Sequence, residues 1–420
     1  MLYLPKKLEV EVVPITDSSP RFESRNDNKP EQKIRFIDSH TGHIWGFLVV
    51  DNTGRGPGVG GIRIAPDLTL EEMSRLSYNM TLKNSAACLP FGGAKAGLAV
   101  NPALLDKDLN LKSDLITLFA EALFPFNNYI SAPDMGTNEH DIQLIYDYNS
   151  KMLGTMSHTR GGIGRDIKNG GIPIDDWELT AHGLVAAIMK LEDIDSKIKL
   201  KDAHVVIQGY GNVGAPTASK LISKGAIIVG ASDINTALWN PKGLNIEQLN
   251  NIRNIPGGLS KYNGKTERRF NSNQLDYILE APCDILVPAA RPDAITARNA
   301  DRIKCKVILQ GANTPINKMT EYYLNKKRGI LSLSDFIVNS GGIIGCAVEL
   351  SMNADAKYKK KVEAKGVRSY TENLINDTIS KNVSEIQSRI TARDRSDKFF
   401  REEALSLAKK RLQNPKEIWL

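Results

Sequence analysis

A glycine-rich turn between two apolar runs constrains the fold of this chain most strongly. Residues 205–233 read VVIQGYGNVGAPTASKLISKGAIIVGASD, with Gly209, Gly211 and Gly214 spaced as G-x-G-x-x-G. Between a strand and a helix, such glycines allow a tight turn, the approach of a pyrophosphate and close helix packing. Free N–H groups at the helix start attract phosphate oxygens. The segment therefore predicts a Rossmann-type unit that binds a dinucleotide, and a tight turn in a ligand-free α/β layer is the alternative.

An acidic residue ends the second apolar run of this unit. Asp233 follows the glycines at about the twenty-residue separation at which an acid accepts the hydroxyls of an adenosine ribose. A carboxylate there disfavours the 2′-phosphate of NADP. The sequence therefore favours NAD as the cofactor, with NADP also possible.

The composition is that of a globular protein with two or three domains. Of the 420 residues, 41 % are hydrophobic and 25 % are charged. The net charge of +7 is modest, and the basic residues are spread out except for the run KYKKK at residues 357–361. Such a run is more often a solvated helix face than a nucleic-acid patch, so we expect no nucleic-acid partner. A general basic bias favours anionic small substrates.

Cysteine, histidine and hydropathy patterns predict a cytoplasmic protein without metal. The four cysteines lie far apart and form no C-x-x-C, which favours a reducing compartment over a disulfide framework. The six histidines are scattered and show no zinc-ligand spacing. The N-terminus, MLYLPKKLEV, lacks the apolar core of a signal peptide, and no apolar run reaches the length of a membrane helix.

The first part of the chain mixes strand and loop patterns. Residues 17–32 are polar and are predicted to form a loop, and residues 54–66 are predicted to form a glycine-rich turn region. Alternating apolar residues predict strands within residues 8–12, 34–36 and 45–49.

After these strands, apolar residues recur at the spacing of a helix. Thr69 and Glu72 have the spacing of a capping box at the start of the first helix. The glycine-rich residues 150–173 are predicted to form an active-site or interdomain loop. The predicted helices cover residues 70–87, 111–124 and 177–191.

The second half of the chain alternates apolar runs with helical segments, which indicates βαβ units, a parallel sheet and an α/β fold class. Residues 351–420 are charged, helical in period and without strand signals, so they form either a cap on the first domain or a C-terminal bundle. The further predicted strands are residues 284–288, 306–309 and 330–333.

A second group of residues with chemical potential lies upstream of the dinucleotide turn. Lys95 lies within the run GGAKAG at 92–97, and Asp134 follows a proline. A lysine among glycines and alanines is either exposed or packed into a cleft of close backbone. In the cleft, desolvation lowers its pKa so that it acts as a base near neutral pH, with Asp134 as proton partner. The spacing of these residues alone is also compatible with lysines on the protein surface and an aspartate in a turn.

The chain resembles the glutamate/leucine/phenylalanine/valine dehydrogenase family over nearly its whole length. The resemblance rests on PFGGAKAGL, APD, GYGNVG, PAA, QGAN and NSGG in this order, and the N-terminal LPKKLEVEVVPI is similar to that of archaeal glutamate dehydrogenases. The resemblance implies that an L-amino acid and NAD(P)⁺ are converted to a 2-oxo acid, ammonia and NAD(P)H. It also implies a homohexamer.

The resemblance also implies two domains with the site in a cleft between them. The predicted substrate-binding and oligomerisation domain covers residues 1–182, to which the helices of residues 352–420 return. The predicted Rossmann domain covers residues 183–351.

The resemblance assigns roles to individual residues. Lys95 would activate water against the imino-acid intermediate, Asp134 would carry a proton to and from the substrate amine, and Lys83 would bind the substrate α-carboxylate. The other implied substrate-binding residues are Val59, Gly60, Gly61, Asn339 and Cys346. The implied cofactor-binding residues are Thr180, Gly209, Gly211, Asn212, Val213, Gly214, Asp233, Ala289, Ala290, Asn313 and Asn339.

The chain departs from the family pattern where glutamate-specific members bind the side-chain carboxylate. Val59 stands where they have a lysine, Cys346 stands where they have a serine, and residues 170–175, GGIPID, lack their arginine. An apolar pocket without a counter-ion disfavours a buried carboxylate. The substrate is therefore glutamate or an aliphatic amino acid. A replacement cation could come from Arg63, Arg165 or Lys168.

Two other functions remain open at this point. A regulatory paralogue without full activity could bind a dinucleotide or partner subunits, but the intact Lys83, Lys95 and Asp134 argue against it. An unrelated Rossmann oxidoreductase acting on hydroxy acids would need a His or Arg pair near the nicotinamide, and no such pair stands out in the sequence.

Overall fold

The computed structural model describes residues 3–15, 29–154, 162–391 and 398–420. The chain divides into two compact units. The first comprises Met1–Ile174, Ile343–Tyr370 and Ala408–Leu420, and the second comprises Asp175–Gly342 and Thr371–Leu407.

The first unit is built on a mixed sheet with strand order β1-β2-β3-β5-β4-β6 in its described part. Strands β3 and β5 pair antiparallel, whereas β4 pairs parallel with both β5 and β6. The strands are β1 Glu9–Val12, β2 Gln32–Ile37, β3 Ile44–Asn52, β4 Gly58–Ile64, β5 Gly92–Leu98 and β6 Tyr129–Pro133. The helices that accompany them are α1 Leu70–Ala86, α2 Pro102–Leu105, α3 Leu109–Leu123 and α4 Glu139–Leu153.

The prediction of a turn region over residues 54–66 was wrong for most of its length, because β4 is a fully buried strand. Glycines are poor strand formers, but here they let neighbouring strands approach. A Cβ on Gly60 would lie 1.7 Å from the carbonyl oxygen of Ala94 on β5. Glycine is therefore needed at this position, because the neighbouring backbone lies too close for a side chain.

The larger apolar cluster of the first unit lies on one face of this sheet. Phe36, Leu48 and Ile62 project from the strands and pack with Phe119 of α3 and Ile142 of α4. The predicted strands near the N-terminus and the predicted helices at 70–87 and 111–124 are confirmed to within a few residues. Of the predicted loop at 17–32, residues 17–28 lie outside the described residues, and Gln32 already begins β2.

The second unit contains the predicted parallel sheet. The order of its described strands is β10-β9-β8-β7-β11-β12-β13. Neighbouring strands from β8 through β7, β11 and β12 to β13 pair parallel. Strands β9 and β10 pair antiparallel at one edge of the sheet. The strands are β7 His204–Gln208, β8 Ile227–Ser232, β9 Ala237–Trp239, β10 Arg268–Phe270, β11 Ile285–Pro288, β12 Val307–Leu309 and β13 Leu331–Leu333. The helices are α5 Leu179–Ile194, α6 Gly214–Ile222, α7 Ile246–Ile252, α8 Lys318–Arg328 and α9 Asp335–Val338.

The last part of the chain is helical, and the described residues after 351 contain no strand, as predicted. These residues are divided between the two units, so they form neither a simple cap nor a separate bundle. The helices are α10 Gly341–Ala354, α11 Ala356–Glu363, α12 Val367–Thr391 and α13 Phe400–Leu412.

The first division between the units falls at Ile174/Asp175, several residues before the predicted boundary at 182/183. Polar contacts explain why this segment belongs to the second unit. Asn212 donates to Asp175 Oδ2 at 2.9 Å, and Lys220 Nζ lies 2.8 Å from Glu178 Oε2. The second division, at Gly342/Ile343, also precedes the predicted 351/352.

Candidate functional site

The glycine-rich turn of the second unit joins β7 to α6 with room for a ligand on one side only. A Cβ on Gly209, whose φ is +91°, would lie 2.7 Å from Ala290 Cα, and a Cβ on Gly214 would lie 2.0 Å from the Gly209 carbonyl oxygen. A Cβ on Gly211 would have no neighbour within 4 Å. The backbone at Gly209 and Gly214 is therefore closely packed, whereas the backbone at Gly211 is open to a ligand. This arrangement fits the dinucleotide that the sequence of the turn predicts. Val213 is the N-cap residue of α6.

Asp233, at the end of β8, is held by the backbone of its own loop region. Its Oδ1 accepts hydrogen bonds from the N–H groups of Asn235 and Thr236 at 2.8 and 2.9 Å, and its Oδ2 accepts one from Leu259 N at 2.7 Å. A carboxylate has about four acceptor sites, so it can still accept from a ligand hydroxyl. Its role toward the ribose stays a prediction.

Arg253 is a residue that the sequence analysis missed. It follows α7, and its Nη1 donates to the carbonyl oxygen of Gly211 at 3.2 Å, which places an exposed guanidinium beside the open side of the turn. No motif marks this residue, because the contact spans 42 positions in sequence. A cation there suits the phosphates of a dinucleotide.

The ends of β11 and β12 bring further predicted cofactor residues to the same edge of the sheet. Ala289 and Ala290 lie against Gly209, and a Cβ on Gly311 would lie 2.9 Å from Ala289 Cβ. Small residues are required here because the backbones approach closely.

The Asn339 side chain contacts the segment that follows β12. Its Nδ2 lies 3.2 Å from each of three acceptors, the carbonyl oxygens of Gly311 and Ala312 and Asn313 Oδ1. Its Oδ1 is buried and receives no hydrogen bond from the described residues. A buried acceptor without a donor fits a ligand that supplies one. Thr180, at the start of α5, lies close by, since a Cβ on Gly341 would be 3.3 Å from its Cα.

The predicted catalytic pair is brought together in the first unit. Lys95 Nζ on β5 lies 2.5 Å from Oδ2 of Asp134, which follows β6, and the two side chains are 4 % and 15 % exposed. Of the two readings that the sequence left open for Lys95, the structure has the buried one. A Cβ on Gly61 would lie 2.6 Å from Asp134 Cβ and 3.2 Å from Lys95 Nζ, so this glycine makes space for the pair.

Arg63 completes this cluster. Its Nε lies 3.1 Å from Asp134 Oδ2, and its Nη1 lies 2.8 Å from Glu72 Oε1 on α1. The sequence predicts Arg63 only as a possible cation for a substrate carboxylate. In the structure it is bound by two carboxylates of the protein.

Burial and charge set the protonation of this cluster. Burial lowers the pKa of Lys95, the charge of Asp134 partly restores it, and the Arg63 guanidinium lowers it further. Burial alone would raise the pKa of Asp134, but the charges of Lys95 and Arg63 outweigh it and hold that pKa below its usual value. The arrangement therefore combines a lysine whose pKa is lowered with a carboxylate whose pKa is also lowered.

Val59 projects from the same face of the sheet as this cluster. Successive residues of a strand alternate in direction, so Val59, Gly61 and Arg63 share one face of β4. Val59 pairs with Gly93 on β5, two residues before Lys95, and is fully buried. Its side chain provides only methyl groups.

The other predicted substrate residues of the first unit are also buried. Lys83 lies in the last turn of α1 and is 6 % exposed, and Cys346 lies on α10 and is 4 % exposed. Gly60 is held by contact with the Ala94 backbone and by its carbonyl oxygen, which accepts a hydrogen bond from Tyr129 Oη at 2.8 Å.

Arg165, a second candidate for a replacement cation, is also engaged. Its Nε lies 3.4 Å from Glu349 Oε1, and its guanidinium lies 4.3 Å from the ring centre of Tyr146. Glu349 also accepts from the N–H groups of Gly164 and Ile172, so it organises the described end of the predicted 150–173 loop. Residues 155–161 of that loop lie outside the described residues. Lys168, the third candidate, is exposed in a short 3₁₀ turn at Ile167–Asn169.

Within the described ranges, no helix is long and apolar enough to cross a membrane. Nor do three or more His, Cys, Asp or Glu side chains in those ranges converge as metal ligands would.

Comparisons with known proteins show which family the sequence matches. Residues 170–414 match the family described as Glutamate/Leucine/Phenylalanine/Valine dehydrogenase, and residues 30–151 match its dimerisation domain. The chain is 37 % identical to the glutamate dehydrogenase of Thermotoga maritima over 320 residues, 74 % of each chain. It is 33 % identical to the NADP-specific glutamate dehydrogenase of Saccharolobus shibatae over 340 residues, 79 % of this chain and 77 % of the relative.

Solved structures share the fold. The hetero-hexameric glutamate dehydrogenase from Thermus thermophilus, in a leucine-bound form, superposes with a TM-score of 0.73 at 24 % identity, covering 98 % of this chain and 89 % of that one. Glutamate dehydrogenase 2 of Plasmodium falciparum superposes with a TM-score of 0.72 at 26 % identity, covering 92 % and 85 %.

Proposed function

Because the chain belongs to the Glutamate/Leucine/Phenylalanine/Valine dehydrogenase family and is an NAD(P)-dependent amino-acid dehydrogenase, we propose that Lys95 is its catalytic base and Asp134 its proton carrier. The observation that carries this proposal is the buried contact of 2.5 Å between Lys95 Nζ and Asp134 Oδ2. The bound cofactor supplies the hydride acceptor for the substrate Cα.

Lys95 is suited to take a proton from water. Its lowered pKa raises the share of neutral amine near neutral pH, and the amine then activates water against the imino acid. Asp134 is proposed to accept the proton of the substrate amine and to return it to the leaving ammonia, although the charges of Lys95 and Arg63 lower its pKa before substrate binds. Lys83 supplies a point charge for the substrate α-carboxylate.

For the substrate, an aliphatic L-amino acid is the better fit. Val59 offers no charge to a side-chain carboxylate, and Arg63 and Arg165 are each bound to carboxylates of the protein. An unpaired buried charge is disfavoured by several kcal/mol, about 10³-fold in kcat/KM. Glutamate is the competing substrate, favoured by the names of the relatives.

We propose NAD as the cofactor because of the carboxylate of Asp233. NADP is the alternative, since the relative from Saccharolobus shibatae is named NADP-specific. The match of residues 30–151 to a dimerisation domain supports a homo-oligomer, for which the proposed state is a hexamer.

The test is a spectrophotometric screen of 2-oxo acids with ammonia and NADH or NADPH. We expect reductive amination of 4-methyl-2-oxopentanoate or another aliphatic 2-oxo acid at least as efficiently as of 2-oxoglutarate. Lys95→Ala should lose ~10²–10⁴-fold in rate while dinucleotide binding stays near normal, because Lys95 and the glycine-rich turn belong to different units. A Lys95→Ala variant with more than about a tenth of wild-type activity would show that the base is another residue.

Val59→Lys tests the substrate proposal separately. A cation on this face should raise activity with 2-oxoglutarate relative to the aliphatic 2-oxo acid, because it pairs with the added carboxylate. Val59→Met is the matched control for side-chain length. Strong wild-type activity with 2-oxoglutarate that is lost on changing Arg165, while activity with the aliphatic 2-oxo acid is kept, would overturn the aliphatic assignment.

A further inference from the structure

Arg63 joins the acid of the proposed site to the first turn of α1, the helix whose last turn carries Lys83. One guanidinium contacts Asp134 through Nε, at 3.1 Å, and Glu72 through Nη1, at 2.8 Å. Its side chain is 6 % exposed. A planar guanidinium with a fixed fork of donors sets the relative position of two carboxylates better than a flexible ammonium does.

The carboxylate of Asp134 is confined by these contacts. The same Oδ2 that lies 2.5 Å from Lys95 Nζ receives the Arg63 Nε donor. The Asp134 backbone N–H donates to Thr137 Oγ1 at 2.9 Å, which fixes the residue from the other side. Arg63 thus determines where Asp134 meets Lys95.

Glu72 anchors Arg63 in turn. It lies in the first turn of α1, and its N–H donates to the N-cap side chain of Thr69 at 3.1 Å. The sequence predicts that the Glu72 side chain closes a capping box, yet its carboxylate contacts Arg63. A glutamate that fits a local capping pattern is therefore used for a contact between α1 and β4.

The four side chains alternate in charge from Lys95 through Asp134 and Arg63 to Glu72. In this order Arg63 lowers the pKa of Lys95, whereas Asp134 and Glu72 raise it. We propose that Arg63 and Glu72 are a positioning pair for the reaction, in which Arg63 orients the Asp134 carboxylate toward Lys95 and Glu72 holds and balances Arg63. This inference rests on the proposed roles of Lys95 and Asp134.

The other ionisable groups on the elements around β5 are distributed as follows. Tyr129 on β6 donates to a backbone carbonyl, Asp51 on β3 accepts from Thr81 Oγ1 at 2.5 Å, and Lys83 lies on α1. The groups whose charges act on Lys95 are Asp134, Arg63 and Glu72.

Three variants test the pair through the pH dependence of kcat/KM. Arg63→Met removes a positive charge, so the acid limb of the profile, set by Lys95, should move to higher pH. Glu72→Gln removes a negative charge and should move the same limb to lower pH. Arg63→Lys keeps the charge without the fork, so it should lower kcat by ~10-fold or more and leave the limb nearly in place.

The matched control is the exposed ion pair of Arg35 and Glu11 on the same sheet, whose Nη1 and Oε2 atoms lie 3.4 Å apart. Arg35→Met and Glu11→Gln should change neither kcat nor the pH profile. If Arg63→Met does not fold, the opposite shift in Glu72→Gln and the kcat loss in Arg63→Lys still test the pair.

The inference fails if the acid limb stays at the wild-type pH in both Arg63→Met and Glu72→Gln while Lys95→Ala is inactive. It also fails if both variants shift the limb in the same direction. A Lys95→Ala variant that keeps its activity and its acid limb would instead refute the proposed function, so the two failures are distinguishable.

Discussion

The carboxylate of Asp233 receives three backbone hydrogen bonds, so it shapes its own loop. The sequence motif predicts a second role for this residue, the contact with the adenosine ribose. Replacing it will affect the loop that includes Leu259 as well as the cofactor.

The cofactor prediction belongs to this residue. Asp233→Asn keeps an acceptor for the backbone N–H groups but removes the charge, so the ratio of NADP to NAD efficiency should rise by ~10-fold or more. Arg253→Ala, beside Gly211, should weaken both dinucleotides by a similar factor and serves as the comparison. The measurement is kcat/KM with each cofactor. An unchanged ratio in Asp233→Asn would show that this carboxylate does not contact the adenosine ribose.

Among the elements, the connection between α1 and β5 depends on the segment after α13. The Arg55 guanidinium donates to the carbonyl oxygens of Leu89, Asn414 and Glu417 at 2.9, 2.9 and 2.5 Å. Trp419 N donates to Cys88 O at 3.2 Å. One buried arginine thus ties the C-terminal segment to the connection that leads into the strand of Lys95.

A stability prediction follows for this connection. Arg55→Ala should lower the free energy of unfolding by about 2–4 kcal/mol, because it removes all the hydrogen bonds of a buried guanidinium, including the buried one to Leu89. Arg35→Ala, which breaks an exposed ion pair, should lower it by less than about 1 kcal/mol. Chemical denaturation of both variants measures the difference. Equal, small effects would mean that the C-terminal segment contributes little to stability.

For the whole molecule, the predicted assembly is a homo-oligomer. Residues 30–151 match a dimerisation domain, and the chain has a mass of 46.3 kDa. Light scattering after size exclusion should give a multiple of this mass, with six copies expected. A monomer at micromolar concentration would contradict the prediction.

Local patterns in the sequence were sufficient to predict much of this protein. The G-x-G-x-x-G turn, the apolar runs of the parallel sheet and the main helices depend on neighbours within one βαβ unit, so short-range spacing predicts them. Lys95 and Asp134 were identified as partners because each stands in a distinctive motif. The structure places their charged atoms 2.5 Å apart.

Long-range contacts could not be predicted in this way. The sequence suggests a turn at 54–66, yet strand β4 occupies most of this range, and its glycines are needed because the neighbouring backbone lies close to it. Glu72 fits a capping pattern but contacts Arg63, and Arg253 reaches Gly211 across 42 positions. The sequence by itself determined the fold class, the dinucleotide turn and the catalytic candidates. Only the tertiary structure decided which charges meet, because those contacts depend on how distant segments pack and not on their spacing along the chain.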